Sequence, residues 1–181
     1  MDLASFEPAP AEVRGAPAAR SRTARGLAVA VAGLFAGHWL VYRILAPNAL
    51  QRALLLAETG HAYLPPAVTV GAGVAALAAA TTFVAGVRRG SRGPGGNASR
   101  HHSLVQTILL PAIAQAVAFC LLEALERVLA GAPLNGLLGP LLPIGVGLQL
   151  AVGALGGLLL FGLERAGERA GYSLAGRLRV L

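Results

Sequence analysis

Lysine is missing altogether: all fifteen basic residues of the 181-residue chain are arginine. There is one cysteine, Cys120, one methionine, Met1, and one aspartate, Asp2. Each shortage removes a class of chemistry. A single cysteine forbids an internal disulfide, so the chain says nothing about redox compartment. The lack of internal methionine speaks against copper(I), which prefers thioether and thiolate ligands. With its sole aspartate in the N-terminal tail, the chain cannot assemble the Asp pairs that hold Mg²⁺ in membrane phosphotransferases. Neither a G-x-S-x-G turn nor an H-E-x-x-H helix occurs. A Glu123/His38 acid and base pair is the sole catalytic arrangement left, and the chain reads as a non-enzyme.

Charge is scarce too. Charged residues make up 13% of the sequence, against about 25% in ordinary soluble domains, and 55% of residues are hydrophobic. With a mean hydropathy of +0.65, this is the composition of a membrane protein. The net charge of +7 does not indicate nucleic acid, because the arginines flank hydrophobic runs and are not interleaved with aromatics. The abundance of Ala, Gly, Leu and Val points to a GC-rich bacterial genome.

A ~30 Å hydrocarbon core needs about 20 apolar residues per helix. Four segments qualify, 26–46, 63–87, 104–130 and 136–163, which predicts an all-α, four-helix integral membrane bundle forming one domain over 26–163. Between the first two spans, "PNALQRALLLAETG" has Asn48 as an N-cap, Leu50, Ala53, Leu54 and Ala57 on one face, and Gly60 as a stop. It predicts a short helix on the extracytoplasmic membrane surface. Twelve arginines fall on one side of this topology and three, Arg43, Arg52 and Arg127, on the other. By the positive-inside rule both termini are cytoplasmic, in a bacterial cytoplasmic membrane.

Residues 1–25, rich in Ala, Pro and Arg, are expected to be a disordered cytoplasmic tail. The apolar run that follows is too long for a signal-peptide core and lacks a clear cleavage site. "RRGSRGPGGNASR" lacks the Lys of a phosphate loop and reads as a flexible cytoplasmic connection, whose "NAS" lies on the wrong side for glycosylation. His101 and His102 read as a hydrated boundary at the start of the third span. Residues 164–181, with Arg165 and Glu168 one turn apart and Arg177 and Arg179 among apolar residues, are expected to form an amphipathic tail on anionic headgroups or a partner.

Gly33 and Gly37 on the first span, and Gly145, Gln149, Gly153 and Gly157 on the fourth, recur every four residues and make smooth faces for close helix approach. Pro65, Pro66, Pro111, Pro140 and Pro143 fall where kinks are tolerable if neighbouring helices satisfy the freed carbonyls.

One stretch breaks the oily pattern. "GHWLVYRIL", residues 37 to 45, carries His38, Tyr42 and Arg43 inside the first span. His38 lies eight residues, about 12 Å, below the outer end of its span, and Glu123 seven residues, about 10 Å, below the end of the third. The two are at matching depth. Tyr42 and Arg43 are level with Glu126 and Arg127, and His61 and Tyr63 enter the second span on the same side. His38, Tyr42, Arg43, His61, Glu123, Glu126 and Arg127 thus gather in the outer third, while the inner two thirds offer only Gln115 and Gln149 as large polar groups.

Three readings follow. In the first, Arg43, Glu126 and Arg127 snorkel to water, Trp39, Tyr42 and Tyr63 form an aromatic belt, Glu123 pairs with Arg127 along its helix, and a His38 to Glu123 bond pins two helices together. In the second, His38, His61 and Glu123 hold Zn²⁺ or another divalent ion, with Cys120 able to add a thiolate. A bis-His haem fits less well, since His61 lies nearer the surface than His38. In the third, His38 and Glu123 relay protons or cations, with Gln149 and Gln115 as deeper stations, although no charged group lines the inner halves. The function expected is a non-catalytic accessory or assembly subunit of a bacterial membrane complex, associated with the lipid bilayer and with a membrane-protein partner or a second copy of itself. A small carrier of protons, cations or metal is the alternative.

The third-span "QAVAFCLLEALERVLAG", with Gln115, Phe119, Glu123, Glu126 and Arg127, and the first-span "GHWLVYR" resemble short four-span membrane proteins of actinobacteria. The resemblance implies the architecture and the source, and no activity.

Overall fold

A computed structural model describes residues 16–92, 104–129, 131 and 141–178. Five helices account for nearly all of them: α1 (Ala16–Leu45), α2 (Ala49–Glu58), α3 (Leu64–Ser91), α4 (Leu104–Leu129) and α5 (Leu141–Leu178). Among the described residues there is no strand. Segments of α1, α3, α4 and α5 are long and apolar enough to cross a membrane, Arg20–Leu45, Leu64–Ser91, Thr107–Leu129 and Leu142–Arg177. Four such helices suggest a multi-pass membrane protein. Large apolar side chains such as Leu110, Leu121, Leu77 and Val70 stand exposed on them, as compatibility with surrounding lipid requires.

The helices are not arranged as a simple square. α1 and α5 pack against each other and against both α3 and α4, whereas α3 and α4 share no contact among the described residues. The α1–α5 pair is therefore the centre of the bundle, with α3 and α4 on opposite flanks. Both flanks meet α5 through glycine. A Cβ placed on Gly86 would come within 3.1 Å of the Gly167 Cα, and one on Gly153 would come 2.5 Å from the Ala112 Cα, so backbone lies on backbone at both seams. Gly90 and Gly171 continue the α3–α5 seam one turn on. The sequence stripes identified Gly153 and Gly157 on α5, which meet α4 at Ala112 and Thr107. They missed Gly86, Gly90, Gly167 and Gly171, which lie where arginines interrupt the apolar pattern.

Two boundaries differ from those read in the sequence. Residues 16–25, expected to be part of a disordered tail, are the first turns of α1. A tertiary contact holds them, Arg22 pairing with Glu164 of α5 at 3.4 Å, and within the helix Arg25 donates to the Ser21 hydroxyl one turn back at 2.7 Å. α5 runs unbroken for 38 residues, about 57 Å at 1.5 Å per residue, through the position where the sequence set the start of a separate tail. Its Glu164 and Glu168 both bind Arg89 of α3, which ties the extended ends of α1, α3 and α5 together. The expected tail over 1–15, the connection around 93–103 with His101 and His102, and Pro140 lie outside the described residues.

α2 begins where Asn48 places it. The Asn48 side chain accepts from the amides of Leu50 and Gln51 at 2.9 and 3.3 Å, satisfying two of the first free N–H groups. Arg52 then reaches back to the carbonyls of Ala46 and Pro47 at 2.9 and 3.1 Å, closing the α1–α2 corner. Leu56 is buried against the bundle, while Leu50 and Leu54 face outward. At the far end Gly60, with φ +78°, makes the turn that brings His61 inward. Pro65 and Pro66 enter α3 in its first turn, where their missing N–H groups are no loss.

The α3–α5 seam leaves no room for side chains. Replacing Gly90 by Val is expected to lower stability by about 1–3 kcal/mol through overpacking, read as the midpoint of a denaturing-detergent titration. Gly147, with open space around its Cα, serves as the control, and Gly147→Ala is expected to stay within about 0.5 kcal/mol. Equal effects at the two positions would show that the seam is loose.

Candidate metal centre

Three separate segments supply the polar cluster. α1 carries His38 and Tyr42 one turn apart, the α2–α3 turn carries Thr59, His61 and Tyr63, and α4 carries Glu123, Glu126 and Arg127. Neighbouring rings pack His38 into place. Its imidazole stacks on Tyr42 at 5.8 Å and meets Phe119 edge-on at 5.2 Å, leaving it 1% exposed.

One ligand atom from each of His38, His61, Glu123 and Glu126 lies within 4.8 Å of the other three. The closest approach is His61 Nε2 to Glu126 Oε2 at 2.8 Å, and His38 Nε2 lies 3.8 Å from Glu123 Oε2. Tetrahedral bonds of about 2.0–2.2 Å to one ion would set such atoms about 3.3–3.6 Å apart. The cluster is therefore near the required size, with one pair slightly too close and others slightly too far.

Polar groups meet both ring nitrogens of His61. Its Nδ1 lies 3.0 Å from both the Thr59 hydroxyl and the Tyr42 hydroxyl. Thr59 gives its own proton to the Leu55 carbonyl at 2.7 Å, so towards His61 it can only accept. A proton on Nδ1 satisfies Thr59 and leaves a lone pair on Nε2, whereas a proton on Nε2 lets the ring donate to Glu126 and accept from the Tyr42 hydroxyl at Nδ1. Nε2 points at a Glu126 carboxylate oxygen 2.8 Å away, the distance of an N–H donor to a carboxylate. Two lone pairs at this separation repel unless a proton or a metal ion lies between them. The other Glu126 oxygen accepts from the Tyr63 hydroxyl. Burial first, and then the Glu126 bond and charge, push the Tyr63 phenol above its usual pKa. A raised pKa stabilises the protonated form, so Tyr63 remains a donor through neutral pH and beyond.

Glu123 lies 3.4 Å from Arg127 Nε, one turn along α4. Two carboxylates against one guanidinium leave a net negative site when both imidazoles are neutral, which favours a cation. The donor set, two imidazole nitrogens with two carboxylates, suits Zn²⁺, Fe²⁺ or Mn²⁺ and contains no sulfur.

The residues singled out in the sequence have different placements. His38, His61 and Glu123 come together, joined by Glu126, with Tyr42 and Arg127 around them. Arg43 stands apart on the outside of α1, its guanidinium 5.0 Å from the centre of the Trp39 ring. Cys120 is half-buried and lies outside the four-residue group. His61 is not held off at the surface: its ring centre is 5.0 Å from that of His38, edge to face, which leaves no slot for a porphyrin between them. Gly33 and Gly37 meet the side chains of Gln115 and Gln149, and Gly145 meets the Phe119 ring. Thr59 escaped the sequence reading, and Tyr63 was assigned only to an aromatic belt. The one signal was "ETGHAYLPP", where a glycine turn before a Pro-led helix aims the next polar side chains back at the bundle.

Comparison with protein-family models, curated proteins and solved structures finds no match for this chain.

The Tyr63 bond to Glu126 joins groups 63 positions apart. A double-mutant cycle with Tyr63→Phe and Glu126→Gln is expected to show a coupling of about 1.5 kcal/mol, the low end for a bond to a charged group because Tyr63 is partly exposed. Coupling near zero would mean that the bond does not form.

Proposed function

We propose that this chain is a non-catalytic membrane subunit that holds a divalent transition-metal ion between His38, His61, Glu123 and Glu126. The observation that carries the reading is the convergence of four ligand atoms, from three segments distant in sequence, within 4.8 Å. Two features support it. The Thr59 and Tyr42 contacts hold the His61 ring with Nε2 turned into the cluster, as outer partners do for metal-binding histidines. Tyr63 and Arg127 neutralise or bond the carboxylate oxygens turned away from the imidazoles. When bound, the ion would take the place of the proton between His61 Nε2 and Glu126 and supply positive charge to the two carboxylates. It thereby couples α1, the α2–α3 turn and α4.

The same reading places the cluster on the extracytoplasmic side of a bacterial membrane, with α2 lying on the surface and both termini inside. The excess of arginine at the opposite end of the bundle supports this orientation, as does the outward apolar edge of α2 at Leu50 and Leu54. A partner would then meet the subunit at this outer end, where the ion sets the relative positions of the three segments.

Two measurements test these statements. Titration calorimetry of the purified protein in lipid nanodiscs is expected to show one Zn²⁺ per chain. Binding is expected to weaken in acid, since the imidazoles must be neutral to bind. His38→Ala and Glu123→Gln are expected to abolish binding and Cys120→Ser to leave it unchanged; a wild-type protein that takes up no ion refutes the metal reading. For orientation, a Cys120→Ser background with Arg43→Cys is expected to react with an impermeant thiol reagent outside intact cells, and one with Arg177→Cys to be protected. The reverse pattern inverts the topology.

A further inference from the structure

α5 supplies none of the four ligand atoms, yet two of its successive turns hold His38, one by the backbone and one by the ring. Gln149 is fully buried and lies on the glycine face of α1: a Cβ on Gly37, the residue before His38, would be 2.8 Å from Gln149 Nε2. That nitrogen donates to the Leu34 carbonyl at 2.9 Å. A carbonyl can only accept, so the contact itself fixes which end of the amide faces α1. Within α1 the Leu34 carbonyl is also the acceptor of the His38 backbone N–H, four residues on. Gln149 therefore bonds the same oxygen that sets the His38 main chain.

The ring is held from α4, on a berth that α5 provides. At Gly153 and Gly157 the glycines of α5 meet the backbone of α4, at Ala112 and Thr107. Gly145 differs. What faces it is the tip of the Phe119 ring: a Cβ there would overlap Cζ and Cε1 and stand 3.3 Å from Cε2. Phe119 is buried, and its ring stands at 87° to the His38 imidazole with centres 5.2 Å apart. A methyl group at position 145 would claim the space of the ring tip. The ring can clear it only by turning or by carrying α4 away from α5, and either movement changes the surface on which His38 rests. Close-packed interiors transmit such displacements because there are few voids to absorb them.

We infer that Gly145 and Gln149 of α5 are positioning residues for His38, Gln149 through the Leu34 carbonyl and Gly145 through the Phe119 ring. A central helix thus sets the geometry of a site to which it gives no ligand. Any change in how α5 lies against α1 or α4 changes where the His38 ring stands relative to Glu123. The placement of His38 stands on these contacts alone; its effect on ion affinity rests on the metal reading above.

The test compares variants in nanodiscs by the ring NMR signals of His38 in metal-free protein, assigned by their loss in His38→Ala, and by Zn²⁺ titration. Gln149→Met keeps the length of the side chain and removes its donor. This variant and Gly145→Ala are each expected to move the His38 ring signals beyond the shift seen in Gly147→Ala, and to weaken Zn²⁺ binding about 10-fold, the lower end for loss of an orienting partner. Adding Phe119→Leu to Gly145→Ala makes room at the ring tip, and the double variant is expected to bind Zn²⁺ more tightly than Gly145→Ala alone. Gly157→Ala overpacks the same α4–α5 seam against the Thr107 carbonyl, about three turns away. It is expected to lower stability while leaving the His38 signals and the Zn²⁺ affinity of the folded protein unchanged. His38 signals unmoved in Gln149→Met overturn the inference for Gln149, and this variant introduces no clash, so it is informative even where Gly145→Ala does not fold. An effect of Gly145→Ala that Gly157→Ala reproduces overturns the inference for Gly145. A wild type that takes up no Zn²⁺, with His38 signals that respond as expected, supports the positioning and refutes only the metal reading.

Discussion

The contact between His61 and Glu126 connects parts of the molecule that otherwise do not meet. α3 and α4 flank the α1–α5 pair on opposite sides and have no mutual packing. The turn leading into α3 nevertheless reaches Glu126 of α4 through His61 and Tyr63, and passes over His38 and Tyr42 of α1 on the way. In an apolar surrounding, polar groups of this kind have few alternatives to one another, since lipid offers neither donors nor acceptors. That constraint gives the cluster its definition. Each group is turned towards the others because every other direction is worse.

The rest of the bundle is built to let that cluster form. Glycine seams bring α5 into backbone contact with α3 at Gly86 and Gly167 and with α4 at Ala112 and Gly153. Such contact is the usual way for helices to associate where lipid and side chains are equally apolar and hydrophobic burial gives little preference. Away from the α2 end, a second set of charges, Arg22 and Arg89 with Glu164 and Glu168, ties the same helices together. The two polar groupings differ in kind. The arginine network is internally paired and partly solvated. In the histidine cluster imidazole nitrogens face carboxylate oxygens, 2.8 Å apart for His61 and Glu126 and 3.8 Å apart for His38 and Glu123.

Much of the architecture could be read directly from the chain. The four long apolar segments, the Asn48 cap, the Gly60 turn and the matching depth of His38 and Glu123 rest on local rules: span length, capping chemistry and rise per residue. Where those rules were applied to residues that obey long-range partners, the reading differed. Residues 16–25 have the composition of a tail, yet Arg22 finds Glu164 on another helix and the segment is helical. Arg43 is level with the cluster by depth but points away from it, because depth does not specify the direction of a side chain around the helix. Thr59 is ordinary in sequence and acquires its role only from the direction of one hydrogen bond to Leu55.

The sequence by itself determined that the chain is helical and apolar over four spans, and that His38 and Glu123 lie at one level. Composition and period suffice for this, since each helix must satisfy its own backbone. The tertiary structure decided which helices are central, that Glu126 joins the cluster, that His61 reaches His38, and that Gln115 and Gln149 are buried against the glycines of α1. These depend on helix rotation and on the seams chosen by glycines, and are properties of pairs of segments rather than of any one of them. A side chain acquires its direction around a helix only when the groups packed against it are in place.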